Sequence, residues 1–168
     1  MLKFDNVSKK YAGGHEALAQ VNFELKPGEM AFLTGHSGAG KSTMLKLAAK
    51  LDTCSQGRVV VNGKDLANVS SKELPLLRQG MGLIFQTPKL LADRSVWENV
   101  ALPLMLTDIQ SNEIKKRVRA SLELVGLLKK EKVFPRHLSS GEQQRIGIAR
   151  AVVHKPSLIL ADEPTGNL

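Results

Sequence analysis

Gly35-His36-Ser37-Gly38-Ala39-Gly40-Lys41-Ser42-Thr43 satisfies the pattern G-x-x-x-x-G-K-[ST] through Gly35, Gly40, Lys41 and Ser42, and it decides how the rest of the chain is read. Glycines let consecutive backbone N–H groups converge with no Cβ in the way, which makes a nest for anions. A loop so spelled predicts Lys41 on the β- and γ-phosphates of a nucleoside triphosphate and the Ser42 hydroxyl on Mg²⁺. It also opens a helix, whose positive end faces the phosphates. The flanks agree. Met30-Ala31-Phe32-Leu33-Thr34 is a short apolar run suited to a buried parallel strand. Residues 41–50 carry Met44, Leu45, Leu47 and Ala48 at helical spacing. A merely flexible glycine-rich turn would need neither flank.

The bulk properties bound the answer. With 168 residues, 42% of them hydrophobic, the chain can bury one substantial core and is not a disordered sequence. The run Val100-Ala101-Leu102-Pro103-Leu104-Met105-Leu106 is too short, and interrupted by proline, to span a bilayer. Met1-Leu2-Lys3-Phe4-Asp5 leads directly into alternating residues and does not read as a secretion signal, which predicts a soluble, cytoplasmic chain. Cys54 is the single cysteine, so no internal disulfide forms, and it lacks metal-ligand neighbours. The formal net charge is +8, and between residues 113 and 136 eight Lys/Arg stand against three acids. Such a surface suits an anionic leaflet, a nucleic acid or an acidic partner, or is simply a solvated helix face. No aromatic ladder points to base stacking, and no specific nucleic acid is expected.

Along the chain, residues 2–7 and 17–24 read as strands around the turn Ala12-Gly13-Gly14, and Lys26-Pro27-Gly28-Glu29 is a second turn. Residues 58–62 alternate toward the hairpin dipeptide Asn62-Gly63, and residues 81–85 form another short core strand. From there to His137 the period turns helical: Val96, Val100 and Leu104 share one face, and Ile114, Val118, Leu122 and Val125 share another, ended by Gly126. The expectation is one α/β P-loop domain over residues 1–168, with N-terminal antiparallel strands and a helical subdomain inserted at about 87–137. A further helix is predicted from Ser139 to about His154. Leu158-Ile159-Leu160-Ala161-Asp162 then reads as a buried strand ending in acid.

That last strand delivers Asp162 and Glu163 at its C-terminal end, where ligands sit in open α/β sheets. Asp162 is expected to hold Mg²⁺ through its water shell and Glu163 to polarise the attacking water. Upstream, Leu138-Ser139-Ser140-Gly141-Glu142-Gln143-Gln144-Arg145 places small residues ahead of a helix, a second anion-binding N-terminus. One triphosphate does not need two such ends in one domain. Either this is an ordinary N-cap with a capping box, or the end covers a phosphate held by a second copy.

Taken together these motifs closely resemble the ATP-binding cassette family over the whole length. The resemblance implies that Tyr11 stacks on adenine, the alternative being a core aromatic. It implies that Gln86 senses Mg²⁺ and the membrane partner, and that Ser139, Ser140, Gly141 and Glu142 form the signature. His36, Ser37, Gly38, Ala39 and Thr43 complete the nucleotide contacts, and Gly166-Asn167-Leu168 is similar to the start of the loop that crosses the dimer interface. His36 could otherwise be a metal ligand or base, but no second ligand stands at a useful spacing. Three stretches, residues 28–43, 141–145 and 161–168, are similar to those of members that serve cell division; the last is shared with lipoprotein-release and macrolide-export ATPases. The implied cofactors are ATP and Mg²⁺. The implied partners are an integral membrane subunit, cell-division proteins and, with ATP bound, a second copy.

Two departures qualify this. Ser140 stands where the family usually has glycine. The family pattern also continues beyond the last residue with an aspartate, a strand and a switch histidine, a place that none of His15, His36, His137 or His154 fills. The expectation is therefore a fragment that binds ATP and hydrolyses it poorly. A nucleotide-gated assembly adaptor remains an alternative. A DNA-repair ATPase is disfavoured by the lack of a long heptad segment or zinc-ligand cluster.

Overall fold

A computed structural model describes residues 1–166. The chain divides into two compact units, Met1–Arg78 and Gln79–Leu168. The first is built on an antiparallel sheet in the order β2-β1-β3-β4, from β1 (Leu2–Lys10), β2 (Glu16–Leu25), β3 (Gln56–Val61) and β4 (Lys64–Asp65). β1 is central, and its pleat buries Leu2 and Phe4 on one face, with Phe4 opposite Phe23 on one side and Val59 on the other. The strand kinks at Asn6, whose φ is 53°, where the partner needs Gly57: a Cβ there would lie 2.2 Å from the Asn6 carbonyl oxygen. Asn62 and Gly63, with φ of 50° and 80°, form the expected two-residue turn between β3 and β4. Helix α1 (Lys41–Ala48) covers the sheet with Met44, Leu47 and Ala48.

One expectation fails in this unit. Residues 30–34 form no strand, and Met30 and Phe32 are each 79% exposed. Apolar composition makes a strand only where a neighbouring backbone completes the ladder, and among the described residues of this unit no strand pairs with the run.

The second unit holds two parallel strands, β5 (Met81–Ile84) and β6 (Leu158–Ala161), in register from Met81↔Leu158 to Ile84↔Ala161. The crossover between them is helical, as the apolar spacing predicts, and contains α3 (Val96–Met105), α4 (Ser111–Leu124) and α5 (Ser140–Val152). Val96, Val100, Leu104, Val118, Leu122, Ile146 and Ala149 close one core with no exposed surface. Ser95 with Glu98 and Ser139 with Glu142 form capping boxes that fix where α3 and α5 begin. Gly126, at φ 71°, ends α4: its N–H donates to Glu123 O and that of Leu127 to Leu122 O, satisfying the last carbonyls. β6 is less buried than its composition suggests. Leu158 and Leu160 point into the core, whereas Ile159 is half exposed. A short helix missed by the periodicity, α2 (Leu74–Gln79), has six residues, fewer than two turns and too few to show a period.

Candidate functional site

In the first unit, the segment expected to cradle phosphate runs from Gly35 into α1. Gly38 and Gly40 adopt φ of 83° and 87°, in the left-handed region that L-residues avoid. At Gly40 the requirement is doubled, since a Cβ would meet Ala17 O at 2.4 Å and Leu18 Cδ2 at 2.8 Å. Gly40 is also the N-cap of α1 and supplies no side-chain cap, so the helix opens on backbone alone. Lys41 folds back over the loop, its Nζ donating to Gly35 O at 2.8 Å and His36 O at 2.9 Å. The His36 ring turns to its own loop, Nδ1 lying 2.7 Å from Ser37 O, and Ala39 N donates to His36 O.

Tyr11 is only partly buried and lies at this loop: its hydroxyl is 3.2 Å from Thr43 Oγ1. It is not a core aromatic. Lys9 Nζ sits 4.9 Å from the Tyr11 ring centre while donating to Asp52 Oδ1 at 2.6 Å and Thr53 O at 2.8 Å. The Lys9 hydrogen bond holds the Asp52 carboxyl below its usual range, against an opposing effect of burial. Sequence reading missed this Lys9–Asp52 support beneath Tyr11, because residues 43 positions apart give no local signal.

In the second unit Gln86, two residues beyond β5, donates through Nε2 to Glu163 Oε2 at 2.7 Å. Glu163 follows β6 with φ of 45°, an uncommon conformation for a non-glycine residue, and its carbonyl accepts from Gly166 N. Asp162 N donates to Ile84 O at 2.9 Å and so extends the parallel ladder by one rung. The structure thus brings Gln86 and Glu163 into direct contact, with Asp162 beside them on the chain. Among the described residues no three His, Cys, Asp or Glu side chains gather to hold a metal by themselves. A divalent ion here would take few protein ligands, as Mg²⁺ does when phosphates supply the rest.

Ser139 and Glu142 satisfy each other in the capping box, and Lys130 pairs with the Glu142 carboxylate. The Lys130 hydrogen bond, ahead of the Ser139 N–H, keeps that carboxyl below its usual range. Ser140 and Gly141 are the first residues of α5. The interface-loop assignment of Asn167 and Leu168 lies outside the described residues. Gln144, unmarked by sequence reading, is buried and donates to the carbonyls of Phe85 and Pro164. Its signal was a polar residue in phase with Gly147 and Ala151 on the inner face of a helix.

Comparison with known proteins shows the family. The family model described as ABC transporter matches residues 18–166. The cell division ATP-binding protein FtsE of Escherichia coli K12 is 55% identical over 168 residues, covering 100% of this chain and 76% of the relative. FtsE of Bacillus subtilis is 44% identical, with 74% of its length covered. Among solved structures, the dimeric ATP-binding cassette MJ0796 in a post-hydrolysis state bound to ADP and Pi is 36% identical. It superposes with a TM-score of 0.93 over all of this chain and 76% of its own. The solved structure of cbiO1 from Clostridium perfringens, part of the ABC transporter complex cbiONQ, is 31% identical with a TM-score of 0.86, over 99% of this chain and 66% of that one. With the loop, the carboxylates after β6 and the capped helix α5 all falling inside the matched range, the chain belongs to the ATP-binding cassette transporter ATPase family.

Proposed function

We propose that this chain is the ATP-hydrolysing subunit of a membrane complex of the FtsE type, coupling ATP turnover on the cytoplasmic face of the membrane to cell division. The observation that carries the reading is the loop from Gly35 to Thr43, in which Gly38 and Gly40 take left-handed backbone and Gly40 has no room for a Cβ against Ala17 O. Lys41, now on two loop carbonyls, would exchange them for the β- and γ-phosphates. Tyr11 would carry the adenine, and the amides from His36 to Thr43 the phosphate chain. Ser42, Gln86 and Asp162 would hold Mg²⁺, which neutralises charge on the phosphates. Glu163 would accept the proton of the attacking water, oriented for it by Gln86.

In this reading, Ser139, Ser140, Gly141 and Glu142 meet the γ-phosphate bound by a second copy, so that ATP draws two chains together. The helical segment at about 87–137 and Gln86 would face an integral membrane partner resembling FtsX. No helix among the described residues is long and apolar enough to cross a membrane, and the membrane contact is assigned to that partner. The segment shared with lipoprotein-release and macrolide-export ATPases supports those as the second reading.

Equilibrium binding of a fluorescent ATP analogue with Mg²⁺ tests the core of the proposal. Saturable binding that Lys41→Ala abolishes is the expected result. Equal binding by both proteins would overturn it. Capture of an FtsX-type subunit, rather than an exporter subunit, separates the two partner readings.

A further inference from the structure

We propose that Gln144 is a positioning residue: its buried side-chain amide holds Gln86 and Glu163 in register with the helix that begins at Ser139. This rests on the roles proposed above for Gln86 and Glu163. The geometry is specific. Gln144 is 1% exposed, and its Nε2 donates to Phe85 O at 3.1 Å and Pro164 O at 3.3 Å. Phe85 immediately precedes Gln86, and Pro164 immediately follows Glu163. One nitrogen with two hydrogens therefore ties together the backbones that present the two side chains. Those side chains meet at 2.7 Å, a contact that closes only if the two backbones keep a fixed separation.

Packing alone gives no reason for glutamine here. Its Oε1 is buried without a hydrogen-bond partner, a cost that an apolar side chain of similar volume would avoid; what the glutamine adds is the pair of bonds to Phe85 O and Pro164 O. The same face of α5 grips the Gln86 segment at later turns. A Cβ on Gly147 would lie 3.1 Å from Pro88 Cβ, and Arg150 Nη1 donates to Lys89 O at 2.8 Å. On the strand side, a Cβ on Gly82 would lie 2.4 Å from Ala151 O. Helix, Gln86 segment and the residues after β6 form one mechanical body. A contact made at Ser140 and Gly141 is one helical turn, about 6 Å, from Gln144 and reaches Glu163 through its amide. Occupancy at the start of α5 is thereby coupled to the placement of the proton acceptor.

The test uses Gln144→Met, which keeps the volume and loses both hydrogen bonds, and Gln144→Glu, which keeps the shape and loses the donors. Amide hydrogen exchange needs no turnover. In Gln144→Met, exchange at the Asp162 and Gly166 amides should rise about tenfold, the loss of roughly one hydrogen bond of local opening free energy, with the melting temperature little changed. Single-turnover hydrolysis of labelled ATP should slow about 10²-fold through misplacement of the reacting groups, with nucleotide affinity nearly unchanged. Gln144→Glu should recover rate relative to the parent as pH falls, because a protonated carboxyl can again donate to one carbonyl and its desolvated site favours protonation. If Gln144→Met matches the parent in both exchange and rate, Gln144 only fills space and the proposal fails. Should that variant not fold, a flat pH ratio for Gln144→Glu would overturn it instead. Glu163→Gln run in parallel keeps the two ideas apart. Undiminished turnover there removes the role of Glu163, while the exchange data still decide whether Gln144 links the two segments.

Discussion

Alanine placed at Gly38 or at Gly40 meets the same backbone problem and a different neighbourhood, which makes the pair a measure of how tightly the loop is set against the sheet. Both positions have φ above 80°, and an L-residue there costs about 1–2 kcal/mol relative to glycine. At Gly38 nothing lies within 4 Å of the added Cβ, so the cost ends there. At Gly40 the methyl would stand 2.4 Å from Ala17 O, well inside contact distance, and 2.8 Å from Leu18 Cδ2. The backbone oxygen belongs to β2 and cannot rotate away, so loop and strand must part, at a further ~1–3 kcal/mol typical of overpacking. Urea denaturation of the two variants should show midpoints below the parent with unchanged slopes, Gly40→Ala lower by that difference divided by the slope. Binding of the ATP analogue should suffer more in Gly40→Ala as well, since the displaced residue is the N-cap of α1. Equal midpoints for the two variants would refute the close approach of Gly40 to β2.

Three further outcomes are expected. Glu163→Gln should retain nucleotide binding and lose about 10²–10⁴-fold in single-turnover rate, as removal of a general base does; an unchanged rate would refute its assignment. Asn99, fully buried, accepts from Leu91 N and donates to Leu91 O, Arg94 O and Ser95 O, so Asn99→Leu should destabilise the second unit by at least ~1–3 kcal/mol, read as a lowered urea midpoint. Burial lowers the His154 pKa from 6.5, opposed by its bond to Met81 O. Between the folded value and 6.5 the unfolded chain holds the extra proton, so stability falls as pH drops below 6.5; melting at stepped pH should show that loss reduced in His154→Gln.

Much of this was legible from sequence because the deciding signals are local. Gly126 and Asn62-Gly63 announce left-handed backbone, Ser139 with Glu142 announces a capped helix, and Val96, Val100 and Leu104 announce a buried face, each within a few residues. The apolar run at residues 30–34 misled because a strand is a property of two segments, and composition reports on one. The resemblance implies that Tyr11 faces adenine, but its contact with Thr43 and the Lys9–Asp52 pair under it depend on β1 meeting α1 and the turn after it. Gln144 was passed over for a similar reason. Its two acceptors are carbonyls, which every residue carries, and only the fold selects Phe85 and Pro164.

The exposed run before the loop has a practical use. Phe32 stands 79% accessible, in chain outside any helix or strand and a few residues ahead of Lys41. A protease that cuts after aromatic residues should find that bond early, since accessible backbone outside regular structure is where nicking concentrates. Cleavage would separate β1 and β2, with Tyr11, from the loop that Tyr11 touches. Whatever covers residues 30–34, a second copy, a membrane subunit or nucleotide that tightens the loop, would then be recorded as a slower cut. The chain carries its own footprinting reporter beside the phosphate loop.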